Sequence, residues 1–184
     1  MSEKYNELGL NKEYLDLELP SSMEDYQLWE AYRDRKIIFN DEVDSTIINK
    51  AILWIRKWNE EDDRAGLVGD DRKDITLILC SNGGDVVAGL ALVDAIRASK
   101  TKVIGIAIGV AASMGIVILS ACHVRLAYTN TVLLIHDGQL GIHGTSNKAK
   151  NTMKFYDRLD EIVKNVLLEN TTISPELYEL NMES

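Results

Sequence analysis

The sequence predicts an α/β domain built on a mainly parallel sheet. Three observations predict it. Short apolar, β-branched runs alternate with segments whose apolar residues recur at helical spacing, the pattern of strand–helix–strand units. The runs at 75–80 and 103–108 are continuous rather than alternating, as in strands buried on both faces. Glycine turns at Gly83-Gly84 and at Gly109 close these runs before the next helical pattern begins.

Each element follows in order. Residues 1–32 read as a polar, acidic arm carrying a short helix, and residues 33–184 as the α/β domain. In the arm, Leu15, Leu17 and Leu19 alternate before a turn at Pro20, and Tyr26, Trp29 and Tyr32 mark the helix. Residues 36–39 are a short strand. Val43, Ile47, Ile48, Ala51, Ile52, Trp54, Ile55 and Trp58 recur at helical spacing, the tryptophans being read as packing residues. Residues 59–73 are charged, contain glycine and read as a loop. A strand at 75–80 leads to a helix at 86–98, a strand at 103–108 to a helix at 112–121, and strands follow at 124–127 and 132–135. Residues 137–144 form a glycine-spaced extended segment. The last pattern is a long amphipathic helix at 146–170, with Met153, Tyr156, Leu159, Val163, Val166 and Leu167 on one side.

Composition narrows the function. A chain of 184 residues buries a core without disulfide or metal staples. Its formal net charge of -9 argues against a nucleic-acid surface, whose phosphates demand basic patches. The two cysteines, Cys80 and Cys122, lack metal-ligand spacing and read as buried free thiols in a reducing, cytoplasmic setting. The opening residues are polar and read as no secretory leader. The uncharged run 103–122 has the length of a membrane span, but Gly105, Gly109 and Gly115 divide it into a strand and a helix, so no membrane association is expected. No metal or cofactor is implied.

The chemistry concentrates in three places. In Gly109-Val110-Ala111-Ala112-Ser113-Met114-Gly115, a serine stands among small residues at a strand-to-helix turn, where a fold presents a nucleophile. Its neighbour Met114 offers a backbone amide to an oxyanion at the positive end of a helix. The bland reading of Ser113 is a helix cap. Of the three histidines, His136 ends an apolar strand and is followed by Asp137-Gly138, which turns the chain and exposes the ring; it is the base candidate. His123 falls at a helix end, where a cation is favoured anyway, and His143 reads as a surface or interface residue. Finally, Ser81-Asn82-Gly83-Gly84-Asp85 supplies a βα turn whose amides suit an oxyanion. It lacks the glycine spacing and the lysine of a phosphate loop.

Together these segments resemble the Clp protease proteolytic subunit (ClpP) family of self-compartmentalising serine proteases. Ser81-Asn82-Gly83-Gly84-Asp85-Val86-Val87-Ala88-Gly89 matches the family's Ser-Pro-Gly-Gly turn, the Ser113 heptapeptide its nucleophile motif, and Val132-Leu133-Leu134-Ile135-His136 its histidine strand. The resemblance runs from about residue 33 to the C-terminus. It implies a ClpP/crotonase-like fold, in which the helix at 146–170 is a protruding handle between rings. It implies Ser113 as nucleophile, His136 as general base and then acid, and the amides of Gly84 and Met114 as the oxyanion hole. Substrate would lie as an added strand along Gly83 and Val86 on one side and Leu140 and Gly141 on the other. It also implies a homo-oligomer of stacked heptameric rings, an AAA+ unfoldase as partner and unfolded polypeptides as substrates, with no bound nucleotide.

The chain departs from the family in places. Asn82 replaces the family's proline, and Asp137-Gly138 its Gln-Pro. The arm does not look like the family's axial-pore loop. The family's third catalytic residue, an aspartate past the long helix, would fall just after Ser184, and no aspartate occurs after Asp160. Asp157 and Asp160 read as solvated helix residues, and Asp137 is too close in sequence to orient its neighbour's ring. The sequence therefore reads either as a shortened chain, or as a Ser–His dyad or an inactive scaffold subunit. A crotonase-like acyl-CoA enzyme fits less well, since nothing basic is placed for the CoA phosphates. A Ser–Lys membrane peptidase lacks a lysine placed as the base.

Overall fold

The computed structural model describes residues 22–136, 138 and 145–182. The chain divides into two compact units between Asp34 and Arg35. The first contains helix α1 (Met23–Arg33). Ser22 caps it by accepting from the Asp25 amide at 3.0 Å, Glu24 and Asp25 fill the first turn and Arg33 the last, complementing the helix dipole. Arg33 lies 5.0 Å over the Trp29 ring. No residue of α1 is buried.

The second unit is the α/β domain. Its strands are β1 (Lys36–Asn40), β2 (Ile75–Ser81), β3 (Val103–Ala112), β4 (Val124–Ala127) and β5 (Val132–Leu134). All pair in parallel, in the order β1-β2-β3-β4, with β5 also on β3. Residues Ile104 to Ala107 of β3 pair with β4, and Val110 to Ala112 pair with β5. One edge of β3 thus holds two short strands in succession, and this is why β3 runs ten residues, past the end expected at residue 108. The next helix, α4 (Met114–Ala121), starts correspondingly later than expected.

One face of the sheet is the core face. Phe39, Ile75, Leu77, Leu79 and Val103 are all fully buried there. Helices α2 (Ser45–Arg64), α3 (Val86–Ala98) and α4 supply matching buried side chains: Ile48, Ile55 and Trp58, then Leu92, Val93 and Ile96, then Val117 and Ile118. On the opposite face Ile38 is exposed and Ile78 and Ile106 are half-buried. Helices α5 (Ser146–Asn170) and α6 (Pro175–Met182) follow, and Leu159, Val166 and Leu167 bury one side of α5.

Two expectations are corrected here. The charged stretch from Asn59 is not a loop: α2 continues to Arg64 and stops only before Gly66, whose φ of 70° no helix tolerates. The extension has its own buried reason, since Asp62 is 1% exposed and receives both ends of the Arg35 guanidinium at 2.6 and 2.8 Å and the Thr101 hydroxyl at 2.8 Å. Val43, in turn, lies before the helix. Asp44 caps α2 by accepting from the amides of Thr46 and Ile47, leaving Val43 to bridge Gly84. Of the thiols, Cys122 is buried, which pushes its pKa up to about 12, while Cys80 is only half-buried.

Candidate active site

The site begins at the turn after β2. The Ser81 hydroxyl is buried and accepts from the Gly83 amide at 3.1 Å. Val43 donates to the Gly83 carbonyl and accepts from the Asp85 amide, both at 2.8 Å. In such a parallel bridge the amide and carbonyl of the middle residue, Gly84, point to the opposite edge, away from Val43. The turn needs glycine twice. Gly83 has φ 101° and Gly84 φ 146°. A Cβ on Gly83 would meet the Ser113 Cβ at 2.6 Å, and one on Gly84 the Val43 carbonyl oxygen at 2.5 Å. The Gly83 backbone therefore packs directly on Ser113.

Ser113 sits where β3 becomes α4. Between Leu79 and Ser81 of β2 the partner residues on β3 jump from Ala107 to Ala111, so β3 carries extra residues opposite this stretch. Gly109, with φ 66°, lies inside that bulge. Beyond it the strand resumes against β5, and Ser113 turns sharply into the helix with φ 52° and ψ -124°. A non-glycine residue in this region costs about 1–3 kcal/mol and is held by its surroundings. The holding contact is a backbone hydrogen bond: Ser113 N–H donates to the Leu134 carbonyl at 2.9 Å. The Ser113 side chain makes no capping hydrogen bond to α4. The bland reading of this serine as a helix cap is thereby excluded. The first-turn amides of α4, Met114 foremost, have no intrahelical acceptor.

His136 follows β5 by two residues and is exposed. The Leu134 carbonyl that pins Ser113 thus belongs to the segment that carries the histidine. Ser113, Met114 and His136 line one open cavity, walled by Val86 of α3, by Val163 and Leu167 of α5 and by Tyr178 of α6. Asp160 of α5 lines it too. Asp160 is exposed, as expected of a solvated helix residue, and borders this cavity as well; Tyr178, to which the sequence gave no role, also lines it. The signal for Asp160 is its helical spacing to Val163 and Leu167, at i+3 and i+7, which puts all three on one side of α5. Tyr178 is buried and belongs to α6, an element outside the periodic patterns.

The other histidine expectations divide. His123 is structural: its Nδ1 accepts from the Val103 amide at 3.0 Å just past α4. His143, Asp137 and the expected substrate contacts Leu140 and Gly141 lie outside the described residues, as does the arm before Ser22. Among the described residues no cluster of three or more His, Cys, Asp or Glu side chains is placed to hold a metal, and no helix is long and apolar enough to cross a membrane.

The model of the family described as Clp protease matches residues 21–184, nearly the whole chain. The chain belongs to the Clp protease family. Among curated proteins it is similar to the ATP-dependent Clp protease proteolytic subunit 1 of Streptomyces avermitilis, at 29% identity over 159 residues, covering 85% of this chain and 70% of that protein. The α/β architecture with its parallel sheet and flanking helices is that of a Clp protease, and the turn, serine and histidine segments described above all fall within the matched residues.

Proposed function

We propose that this Clp protease family member is a serine endopeptidase, with Ser113 as nucleophile and His136 as its base. The single observation that carries the reading is the backbone of Ser113: strained, pinned by Leu134, and with a side chain that does not cap the helix it precedes. Strain at a serine between strand and helix serves to expose the hydroxyl. In the reaction, His136 takes the Ser113 proton as Oγ adds to the scissile carbonyl carbon. The resulting oxyanion receives the amides of Gly84 and Met114, worth about 10²–10³ in rate for one such donor. The tetrahedral adduct collapses as His136 returns the proton to the leaving amine. Water, activated by the same histidine, then releases the acyl group and restores the serine.

Substrate binds as an added strand along Gly83 and Val86, held through backbone hydrogen bonds that tolerate many sequences. Leu140 and Gly141 are proposed as the residues that meet the other edge of the substrate. The protein works as a homo-oligomer of stacked heptameric rings, and an AAA+ unfoldase feeds it unfolded polypeptide. The similarity to an ATP-dependent Clp protease proteolytic subunit supports the second point. Exposed apolar residues on β5 and next to β4, Val132, Leu133, Leu134 and Tyr128, support the first.

A fluorophosphonate probe followed by intact-mass measurement tests the reading. One adduct, absent from Ser113→Ala, is the expected result. An assembled, folded protein that takes no adduct would overturn it in favour of a catalytically inactive scaffold subunit.

A further inference from the structure

Resting on the peptidase reading, we infer that Ser81 is a positioning residue for that reaction: its hydroxyl fixes the peptide unit that aims the Gly84 amide at the oxyanion. Gly83 carries no Cβ, so many φ values are open to it at little cost. The observed φ of 101° is selected by a hydrogen bond at each end of the residue. Its N–H donates to the Ser81 Oγ at 3.1 Å, and its carbonyl accepts from the Val43 amide at 2.8 Å. The second bond sets the direction of the next amide. Across a planar peptide unit the carbonyl and the following N–H point in opposite directions. A Gly83 carbonyl turned to Val43 therefore turns the Gly84 N–H away from it. The bond to Ser81 closes the other end. Without it the glycine is held on one side only, and the peptide unit between Gly83 and Gly84 is free to rotate out of that alignment.

Ser81 is built into both halves of the site. It is the last residue of β2, is 3% exposed, and pairs with Ala111 beyond the bulge in β3. In the first turn of α4, a Cβ on Gly115 would lie 3.1 Å from the Ser81 carbonyl oxygen and 3.5 Å from the Ser81 Cβ. The helical turn that presents the Met114 amide thus rests on Ser81, and the Ser81 hydroxyl holds the glycine that precedes the Gly84 amide. A hydroxyl suits this place because Gly83 is buried. An apolar side chain at residue 81 would leave the Gly83 N–H away from water and without that acceptor. Other buried serines make a different contact. Ser99 and Ser120 donate to the carbonyls of Thr101 and Val117 and tie down their own stretches of chain. Ser81 accepts from the turn that lies against Ser113.

The experiment compares Ser81→Ala with Ser99→Ala, which removes a buried hydroxyl that the proposed reaction does not use. Each variant is assayed for cleavage of a fluorogenic peptide, for urea unfolding, and for inhibition by a peptide boronic acid, whose serine adduct is tetrahedral and anionic like the intermediate. Expected for Ser81→Ala is a kcat about 10- to 100-fold lower with KM within about threefold, and boronate affinity weakened by about the same factor as kcat. Ser99→Ala should lose stability yet keep its kcat and its boronate affinity. Ser81→Thr keeps the acceptor and should hold kcat within about threefold of the natural protein. A threonine variant as slow as alanine would overturn the inference, since the acceptor would then not decide the rate. So would an equal loss of kcat in Ser99→Ala, or a raised KM with kcat retained, which would make Ser81 a support for the substrate strand instead. A natural protein that labels with fluorophosphonate, beside a Ser81→Ala that labels and turns over equally fast, overturns the positioning role alone. A natural protein that does not label overturns the peptidase reading and the role of Ser81 with it.

Discussion

Ser113 and Gly83 are a coupled pair, since each limits what the other can be. The serine's φ of 52° is affordable only with its amide held by Leu134 and with no side chain at residue 83. Gly83→Ala would place a methyl group 2.6 Å from the Ser113 Cβ and 2.9 Å from the Ala112 carbonyl oxygen. Both are close to backbone, so the clash cannot be relieved by swinging a flexible side chain. The variant is expected to lose about 1–3 kcal/mol of stability and about 10²-fold or more in the rate of fluorophosphonate labelling. Gly66→Ala is the control. Its φ of 70° carries a similar strain, yet nothing lies within 4 Å of the added carbon. It should lose about 1 kcal/mol and label at the normal rate. If both variants label equally, Gly83 has no role in shaping the serine. These residues were legible in the sequence because special backbone leaves a mark there: paired glycines after a strand, and a serine among alanines and glycine. Asp160 was not, because a lone carboxylate on a long amphipathic helix looks the same whether it faces water or a cavity.

At the scale of elements, the sequence reading succeeded where burial is continuous and failed where polar residues are buried. The strands, α3 and α5 followed from uninterrupted or periodic apolar residues. The last turns of α2 did not, because Asn59-Glu60-Glu61-Asp62-Asp63-Arg64 has the composition of a loop. Those turns are fixed by contacts distant in sequence. Asn59 accepts from the amides of Lys100 and Thr101, and Asp62 meets Arg35 and Thr101. Asp63 is paired with Arg72 and Lys100. The end of β3 was missed for the same reason, since only pairing with β5 explains a strand that continues through Gly109. The α2 extension predicts a pH dependence. Hydrogen bonds from Arg35, opposed by burial, hold the Asp62 carboxyl below its ordinary value of 3.8. A carboxyl lowered by folding stabilises the protein above its unfolded pKa, and that contribution disappears as pH falls through the folded value. Asp62→Asn should therefore cost about 3–5 kcal/mol near neutral pH, since it leaves the Arg35 charge buried without its partner. The difference from the natural protein should narrow steadily below about pH 4. Urea unfolding of both proteins across that range measures it, and a constant difference would show that the ion pair is not what stabilises this corner.

For the whole molecule, the decisive feature is that β5 does two jobs. Its backbone holds Ser113 through Leu134, and the chain leaving it carries His136. Yet Val132, Leu133 and Leu134 are 58%, 48% and 47% exposed, and the preceding Tyr128 and Leu126 are 67% and 51% exposed. A three-residue strand at a sheet edge has little of its own to hold it. Apolar residues in such a run are covered in most proteins by a partner. Covering them with another copy of the chain would steady the strand that holds Ser113 and leads to His136, so on the proposed peptidase reading assembly and reactivity should rise and fall together. The expected outcome is a particle several times the 20.6 kDa chain mass by light scattering. Leu133→Glu puts a charge into the covered surface, and it should shift that particle toward the single chain. Fluorophosphonate labelling should drop in parallel, although Leu133 touches neither the serine nor the histidine in sequence. Circular dichroism must show the parallel sheet intact for the comparison to count. A single chain that labels as fast as the assembly would show that β5 is ordered without a neighbour, and that the exposed strip serves something other than self-association.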